Sequence, residues 1–193
     1  ITHIKVRREV AVDVAKSSGQ APICGRLGQR PACLIQENAV CPGNGFEAAL
    51  AALQAQLNAK GIYFSTNNPY FFEAPYDPTY VAPTNACPTK NLPVLNWQTG
   101  GTVVRTWNAT TSKCVVTVGI PGTTGTGPNN MGAAFNLNLL IHDPGAYTHN
   151  RYYAKRLIWD AIDWADDETM NNSVITTVNA LVTAGTLTAA QRD

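Results

Sequence analysis

The sequence has few charged residues and no basic stripe. Asp, Glu, Lys and Arg make up 14% of its 193 residues, against about 25% in an average soluble domain. With 14 basic and 13 acidic residues, the formal net charge is only +1. Nucleic acids and anionic membranes are bound through clustered basic residues that neutralise phosphates. We therefore expect no nucleic-acid partner.

The sequence also lacks a long apolar run. The longest, from Phe135 to Ile141, is interrupted by Asn136 and Asn138. It falls far short of the roughly 20 residues that cross a bilayer, so we expect no membrane insertion. The sequence begins with Ile1 and shows no basic-then-apolar leader, which favours a processed, secreted product.

None of the five cysteines belongs to a CxxC motif. They are Cys24, Cys33, Cys41, Cys87 and Cys114. The pattern excludes a zinc ribbon and a thioredoxin-type site, and without CxxCH this sequence attaches no c-type haem covalently. Several cysteines in a small protein favour disulfides and a periplasmic or extracellular location. We expect Cys87 to pair with Cys114, and two of the first three cysteines to pair with each other.

The order of sequence patterns predicts an α+β fold. In residues 1–22 apolar residues alternate loosely with basic ones, which favours an extended arm rather than a helix. Residues 23–193 are predicted to form a single disulfide-stapled domain that begins with a Cys-rich loop. Its irregular Pro-rich part, residues 62–93, is followed by a β-hairpin of residues 102–107 and 114–118.

Helices are predicted on both sides of this hairpin. An apolar stripe from Phe46 to Leu57 predicts one helix that ends at Gly61. The C-terminal half is predicted to be helical over residues 131–141, 151–165 and 173–182. The first two of these are expected to pack antiparallel through Phe135, Leu139 and Leu140 against Tyr153, Leu157 and Ile158. The Gly/Thr-rich residues 119–130 are expected to be a loop that does not pack.

Two segments carry a resemblance to a known family. Residues 130–167 read NMGAAFNLNLLIHDPGAYTHNRYYAKRLIWDAIDWADD, and Phe46–Phe72 contains KGIYF and NPYFF. Together they resemble the C-terminal, haem-free region of secreted multihaem c-type cytochromes of metal-reducing bacteria, over roughly residues 43–170. The sequence differs from that family because it contains no CxxCH motif. The resemblance therefore implies a cytochrome partner and an extracellular electron-transfer assembly, with haem present only on the partner chain.

Three histidines are candidate ligands of a metal or a haem iron: His3, His142 and His149. His142 and His149 flank a Pro-Gly turn, so the two imidazoles are able to face each other across one loop, and neutral imidazole is a common metal ligand. The alternative is structural. In that interpretation Asp143 and Asn150 cap helix starts, and the histidines bond to loop carbonyls.

An acidic run near the end of the longest predicted helix has two interpretations. Asp163, Asp166 and Asp167 are candidate calcium ligands, because Ca²⁺ takes six to eight oxygen atoms. Their spacing matches no EF-hand loop, however. The alternative is an ordinary helical ion pair, because Lys155 and Arg156 lie one turn before Asp160 in the same acidic run.

The sequence contains no GxSxG or HExxH string, so we predict no enzymatic activity. The function predicted is a non-enzymatic accessory or structural domain that packs against a multihaem c-type cytochrome, in a larger complex or filament. Tyr152, Trp159 and Trp164 are the predicted anchors for that partner. Two alternatives stay open: a histidine ligand supplied to a haem of the partner chain, and a secreted hydrolase whose site the sequence does not reveal.

Overall fold

The structure, a computed structural model, describes residues 45–119, 125–143 and 145–192. The extended arm, His3, Cys24, Cys33 and Cys41 lie outside these ranges. In chain order the elements are α1 (Gly45–Ala59), β1 (Tyr63–Phe64), β2 (Phe71–Phe72), β3 (Thr102–Asn108), β4 (Lys113–Gly119), α2 (Thr126–His142), α3 (Ala146–His149), α4 (Arg151–Asp167), α5 (Val174–Thr183) and α6 (Ala189–Arg192). The predicted α+β class is confirmed. None of the helices described is long and apolar enough to span a bilayer.

Helix α1 ends in a glycine-dependent turn, as its sequence predicts. Gly61 has a φ of +74°, a conformation that side chains with a Cβ rarely adopt. Its N–H donates to the carbonyl of Asn58, and the N–H of Ile62 donates to that of Leu57. This pair of bonds is a Schellman motif, in which the residue after glycine packs back on the helix. Ile62 and Leu57 are 4% and 1% exposed, so the turn also closes part of the core.

Helices α1, α2 and α4 enclose the core, and α5 and α6 pack against its side. The largest fully buried apolar side chains are Leu53, Leu57, Leu137, Ile158, Ile162, Val174 and Val178. Burying each such side chain stabilises the fold by about 1.5–3 kcal/mol. Buried alanines lie on all three helices, for example Ala49, Ala134 and Ala161. Side chains this small allow neighbouring helices to approach closely.

The predicted pairing of the first two C-terminal helices is confirmed, but part of the predicted contact face is wrong. Leu140 and Ile158 are buried, as expected. Phe135, Leu139 and Tyr153 are more than half exposed. The inward face of α2 consists of Ala133, Ala134, Leu137 and Leu140. Phe135 and Leu139 lie on the opposite side of the helix. Helix α2 is apolar on more than one side, so periodicity alone did not identify its buried face.

Helix α2 also begins earlier than its sequence predicts. The expectation that residues 119–130 do not pack is wrong for residues 126–130, which form its first turns. Gln98 Oε1 accepts hydrogen bonds from the N–H groups of Gly125, Thr126 and Gly127, at 3.1–3.2 Å. These are N–H groups that a helix start leaves without partners. A Cβ at Gly127 would lie 2.7 Å from Gln98 Nε2, so a larger residue there would displace the capping amide.

The β-hairpin and the disulfide are confirmed. Strands β3 and β4 pair antiparallel with Trp107 opposite Cys114. Cys114 is bonded to Cys87, with their Cα atoms 5.1 Å apart. On the same face, Arg105 donates two hydrogen bonds of 2.8–2.9 Å to the carboxylate of Glu73. One face of the hairpin is therefore fixed to the Pro-rich segment, both covalently and through an ion pair.

Candidate functional site

Five side chains on the outer side of α2 form an exposed surface, which we call the α2 stripe: Pro128, Met131, Phe135, Leu139 and His142. They are all of the α2 residues that are exposed. At 3.6 residues per turn they lie within about 80° of arc and extend over about 21 Å. The helix contains no Asp, Glu, Lys or Arg. The solvent face of a surface helix is normally polar, and a helix that is apolar on all sides is normally buried.

Aromatic rings of the β1–β2 hairpin lie against this stripe. Phe64 and Tyr70 contact the imidazole of His142 edge-on, with ring centres 6.4 and 5.7 Å apart. Phe71, which is buried, contacts Phe135 at 6.1 Å. Tyr70 has a φ of +76°, which is unusual for a bulky side chain and often occurs at functional sites. The stripe is therefore supported from behind by a packed aromatic cluster.

The orientation of the His142 ring determines which nitrogen is available. Nδ1 lies 2.8 Å from the carbonyl oxygen of Asn138, one turn earlier in α2. A carbonyl only accepts, so Nδ1 carries the proton and donates it. In the neutral ring Nε2 then keeps its lone pair, and a backbone bond of this kind is how ligating histidines are often oriented. The side chain is exposed, so Nε2 is the atom suited to coordinating an external metal.

His149 has different neighbours. Its ring folds back over the start of the four-residue helix α3, so that a Cβ at Gly145 would lie 2.6 Å from His149 Nε2. His142 lies against Phe64 and Tyr70 instead, and no contact joins the two imidazoles. Within the described parts of the chain, no three His, Cys, Asp or Glu side chains are grouped as they would be around a metal ion.

The turn between these histidines is only partly as the structural interpretation expects. Asp143 Oδ1 accepts a hydrogen bond of 3.2 Å from the N–H of Gly145. Asn150 precedes α4 without forming a side-chain capping bond, so the expectation that it caps this helix is wrong. His142 bonds to a carbonyl of its own helix rather than to a loop.

The acidic residues at the end of α4 bind the start of α5. Asp163 Oδ1 accepts from the N–H of Ser173 at 2.7 Å, and Asp166 Oδ2 accepts from its hydroxyl at 2.6 Å. Thr177 also donates to Asp166 Oδ2. Asp167 accepts separately from Asn171. The bonds of Asp163 and Asp166 connect two helices, and the bond of Asp167 reaches the loop between them. Asp166 Oδ1 is buried without a partner among the described residues, and calcium binding by these carboxylates stays an untested prediction.

The three predicted partner anchors are not equally exposed. Tyr152 is 74% exposed, and the guanidinium of Arg151 lies 5.1 Å from its ring centre. The hydrogen bond that Arg151 donates to its hydroxyl lowers the pKa of Tyr152. Trp159 and Trp164 are partly buried against the core, so less of each ring is accessible than of Tyr152, and their role as partner anchors stays a prediction. Trp159 and Trp164 lie about 140° apart around α4 and flank its buried face on opposite sides.

The indole of Trp164 belongs to a buried polar cluster around Asn130. Asn130 is 2% exposed. Its Oδ1 accepts from Trp164 Nε1 at 2.9 Å, and its Nδ2 donates to the carbonyl of Trp97 at 2.9 Å and to Thr99 Oγ1 at 3.2 Å. The start of α2, the end of α4 and the segment before β3 therefore meet at one amide side chain.

A cavity of about 590 Å³ lies beside this cluster, and two of its three charged lining residues, Lys60 and Glu73, are held in ion pairs. The third, Asp166, accepts from Ser173 and Thr177 through Oδ2, while its buried Oδ1 has no partner among the described residues. Lys60, which lines it, donates to Glu168 Oε1 at 2.8 Å. This bond, together with one from Thr99, lowers the pKa of Glu168. Glu168 has a φ of +66° and follows the last residue of α4, where the helix dipole disfavours a negative charge. The Lys60 ammonium offsets that charge, so we interpret these groups as structural.

Comparison with known proteins identifies two polyheme cytochromes as relatives. The chain is 37% identical over 162 residues to the C-type polyheme cytochrome OmcC of Geobacter sulfurreducens, covering 81% of this chain and 17% of that protein. It is 39% identical over 150 residues to OmcB of the same species, covering 75% of this chain and 16% of that protein. No family model and no solved structure matches the chain. The aligned part of the chain corresponds to about one sixth of the length of each of these curated relatives. Over three quarters or more of its own length, the chain is homologous to the C-terminal region of Geobacter polyheme c-type cytochromes.

Proposed function

We propose that this chain is a non-enzymatic structural domain that packs against a multihaem c-type cytochrome in an extracellular electron-transfer assembly. The observation that carries the proposal is the match to one region of two polyheme cytochromes in a sequence that has no CxxCH motif. Such a domain contributes surface and rigidity to the assembly, while the haems belong to the partner chain.

The packing of the homologous region supports a structural role. Asn130 and Trp164, which lie near the two ends of the 130–167 segment, are joined by a direct hydrogen bond. The helices between them enclose much of the core. The segment that most resembles the cytochromes thus contributes two of the three helices around the core, which favours a role in holding a shape.

The disulfide supports the proposed location. Cys87 and Cys114 form a bond of the kind that persists in oxidising compartments such as the periplasm and the cell exterior. We therefore place the domain in the periplasm or at the outer surface of a bacterial cell. A secreted hydrolase stays an alternative, because Asp166 lines the cavity and its buried Oδ1 has no partner among the described residues. Lys60 and Glu73, which line the same cavity, are held in ion pairs, which favours the structural interpretation.

Native co-purification tests the proposal. The full chain, carrying an affinity tag, is isolated from its source cells without denaturant, and the eluate is analysed by absorbance, haem staining and peptide mass. We expect a Soret band and peptides of a multihaem c-type cytochrome, with no Soret band in the chain expressed alone. Tyr152→Ala should reduce the amount of cytochrome recovered and leave thermal unfolding unchanged. Elution of the chain without any c-type cytochrome would contradict the proposal.

A second candidate function is favoured by the orientation of one histidine. Donation from Nδ1 to the carbonyl of Asn138 leaves Nε2 of His142 as the ligating atom, so His142 is suited to supply an axial ligand to a haem of the partner chain. A haem iron on the partner chain would act there as the Lewis acid. The chain contributes an oriented imidazole, which Phe64 and Tyr70 hold edge-on.

The haem peptide microperoxidase, which has an open axial position, tests this candidate. If His142 is a ligand, adding the full chain should shift the Soret band towards its low-spin position. His142→Ala should abolish the shift, and His149→Ala, which removes another exposed imidazole, should leave it unchanged. Equal Soret shifts from the wild-type chain, His142→Ala and His149→Ala would rule out His142 as the ligand.

A further inference from the structure

The α2 stripe is an apolar surface without a cover among the described residues. Met131, Leu139 and Phe135 are 38%, 52% and 55% exposed. Taking roughly 150–250 Å² for a large side chain, the whole stripe presents on the order of 400 Å². Single apolar side chains on a surface need no explanation, but here four of them share one face of one helix, and a patch of this size is often functional.

The size of the stripe indicates the kind of interface. A stable complex between separate proteins buries about 800 Å² per partner, roughly twice what the stripe offers. Contacts between domains of one chain bury about 600–1,500 Å² in total, which corresponds to the area of the stripe on each side. Between separate chains the stripe therefore supplies about half of one standard interface face, so a single substitution in it should weaken the complex measurably. In the relatives this region is continuous with a haem-bearing chain five times its length.

The charge of the stripe restricts its occupant further. Helix α2 offers no charged side chain other than the titratable His142 at its end, so no ion pair contributes to docking here. The contact must be apolar. Leu139 and the aromatic rings of Phe135, Phe64 and Tyr70 make a rigid surface suited to a flat, hydrophobic group.

We infer that the α2 stripe is the surface through which this domain contacts the exposed porphyrin edge of a c-type haem on the polyheme chain. The inference rests on the proposed function and names the surface and the chemistry of the contact. It does not depend on coordination by His142, because the area and the lack of charge come from Met131, Phe135 and Leu139.

Paramagnetic broadening by a haem peptide tests the contact directly. The full chain, labelled with ¹⁵N, is titrated with ferric microperoxidase in excess imidazole, which fills the open axial position and excludes coordination by His142. We expect weak binding in which the amides of Met131, Phe135 and Leu139 broaden first. Phe135→Glu and Leu139→Glu should each weaken binding at least tenfold. Glutamate is a good helix former, so the helix itself is retained.

The outer face of the β-hairpin provides a matched control. Val104 and Val115 are 57% and 48% exposed and lie on the face opposite the disulfide. Val104→Glu and Val115→Glu add the same charge to a similarly exposed apolar site, and should leave binding unchanged. Chemical denaturation of all four variants checks that each one is folded.

Several outcomes would overturn the inference. Broadening that is strongest on the hairpin, or that survives Phe135→Glu, would place the contact elsewhere. Concentration-dependent dimerisation that Phe135→Glu abolishes would show that a second copy covers the stripe. Stripe amides that become exposed to hydrogen exchange only when residues 1–44 are deleted would show that the chain covers its own stripe.

The co-purification experiment separates this inference from the proposed function. If Leu139→Glu still recovers the multihaem cytochrome as well as the wild type does, the surface is wrong and the function stands. If the wild-type chain recovers no cytochrome, the proposed function fails whatever the titration shows.

Discussion

Replacing Asn130 by alanine should destabilise the fold more than any other single polar substitution on α2. The change removes one acceptor and one amide donor group that together make three hydrogen bonds. It leaves the indole N–H of Trp164 and the carbonyl of Trp97 without partners. A typical hydrogen bond contributes about 1 kcal/mol net, and a polar group left unsatisfied in the interior costs about 1–3 kcal/mol. Because Asn130 is 2% exposed, little water reaches the site to compensate.

We therefore expect Asn130→Ala to lower the free energy of unfolding by about 3 kcal/mol. For a chain of this size the melting temperature should fall by roughly 6–12 °C. Urea denaturation followed by tryptophan fluorescence measures the change, and emission should shift to longer wavelength because Trp164 reports on the site. Asn130→Asp keeps the acceptor for Trp164 but buries an unpaired carboxylate against the carbonyl of Trp97, so it should be at least as destabilising.

Asn136 is the matched control. It lies on the same helix, is only partly buried, and makes no side-chain hydrogen bond within the described residues. Asn136→Ala should change the free energy of unfolding by less than about 0.5 kcal/mol. If Asn130→Ala proved as mild as this control, the amide would not be holding the three segments together and the reasoning would be refuted.

Three further predictions concern the connections around the core. Gln98→Ala should cost about 1–2 kcal/mol and speed hydrogen exchange at the start of α2, because it removes the cap; unchanged exchange there would contradict the assignment. Replacing both Cys87 and Cys114 by serine should lower the free energy of unfolding by about 3–4 kcal/mol on the chain-entropy estimate, measured by urea denaturation against the oxidised wild type. The Lys60 bond lowers the pKa of Glu168, so it stabilises the fold above the ordinary pKa of glutamate, and this stabilisation is lost as the pH falls through the lowered value. Lys60→Met should raise the Glu168 pKa towards its ordinary value in a carboxyl NMR titration, and an unchanged pKa would show that Thr99 is the controlling partner.

Features that depend on local spacing were predictable from the sequence. Helix α1 has one dense apolar stripe and a Lys-Gly ending, and the structure begins and ends it within two residues of those signals. The β-hairpin follows from two short β-branched runs, and its disulfide pairing is confirmed. In each case the residues that determine the element lie within or beside it.

Features that depend on distant residues were not predictable in the same way. The start of α2 is fixed by Gln98, which lies 27 to 29 residues earlier in the chain, so no local signal marks it. The α2 stripe was missed because Phe135 and Leu139 are apolar and were assigned to the core. The sequence did contain one indication of the stripe. Helix α2 has apolar residues on more than one side and no Asp, Glu, Lys or Arg, which is typical of a helix that packs on its outer face as well as on its inner face.

The contacts of residues 96–98 with the end of β4 and the start of α2 determine which changes of chain connectivity the fold should tolerate. Gln98 holds the first turn of α2 from across the fold, and Asn96 donates to the carbonyl of Gly119, the last residue of β4. The end of the hairpin and the beginning of the helix are thus each secured to residues 96–98. Their relative position does not rely on the peptide that joins them. A circular permutant opened between Gly119 and Gly125 should therefore fold, and the same point would accept an inserted segment without separating the hairpin from the helices.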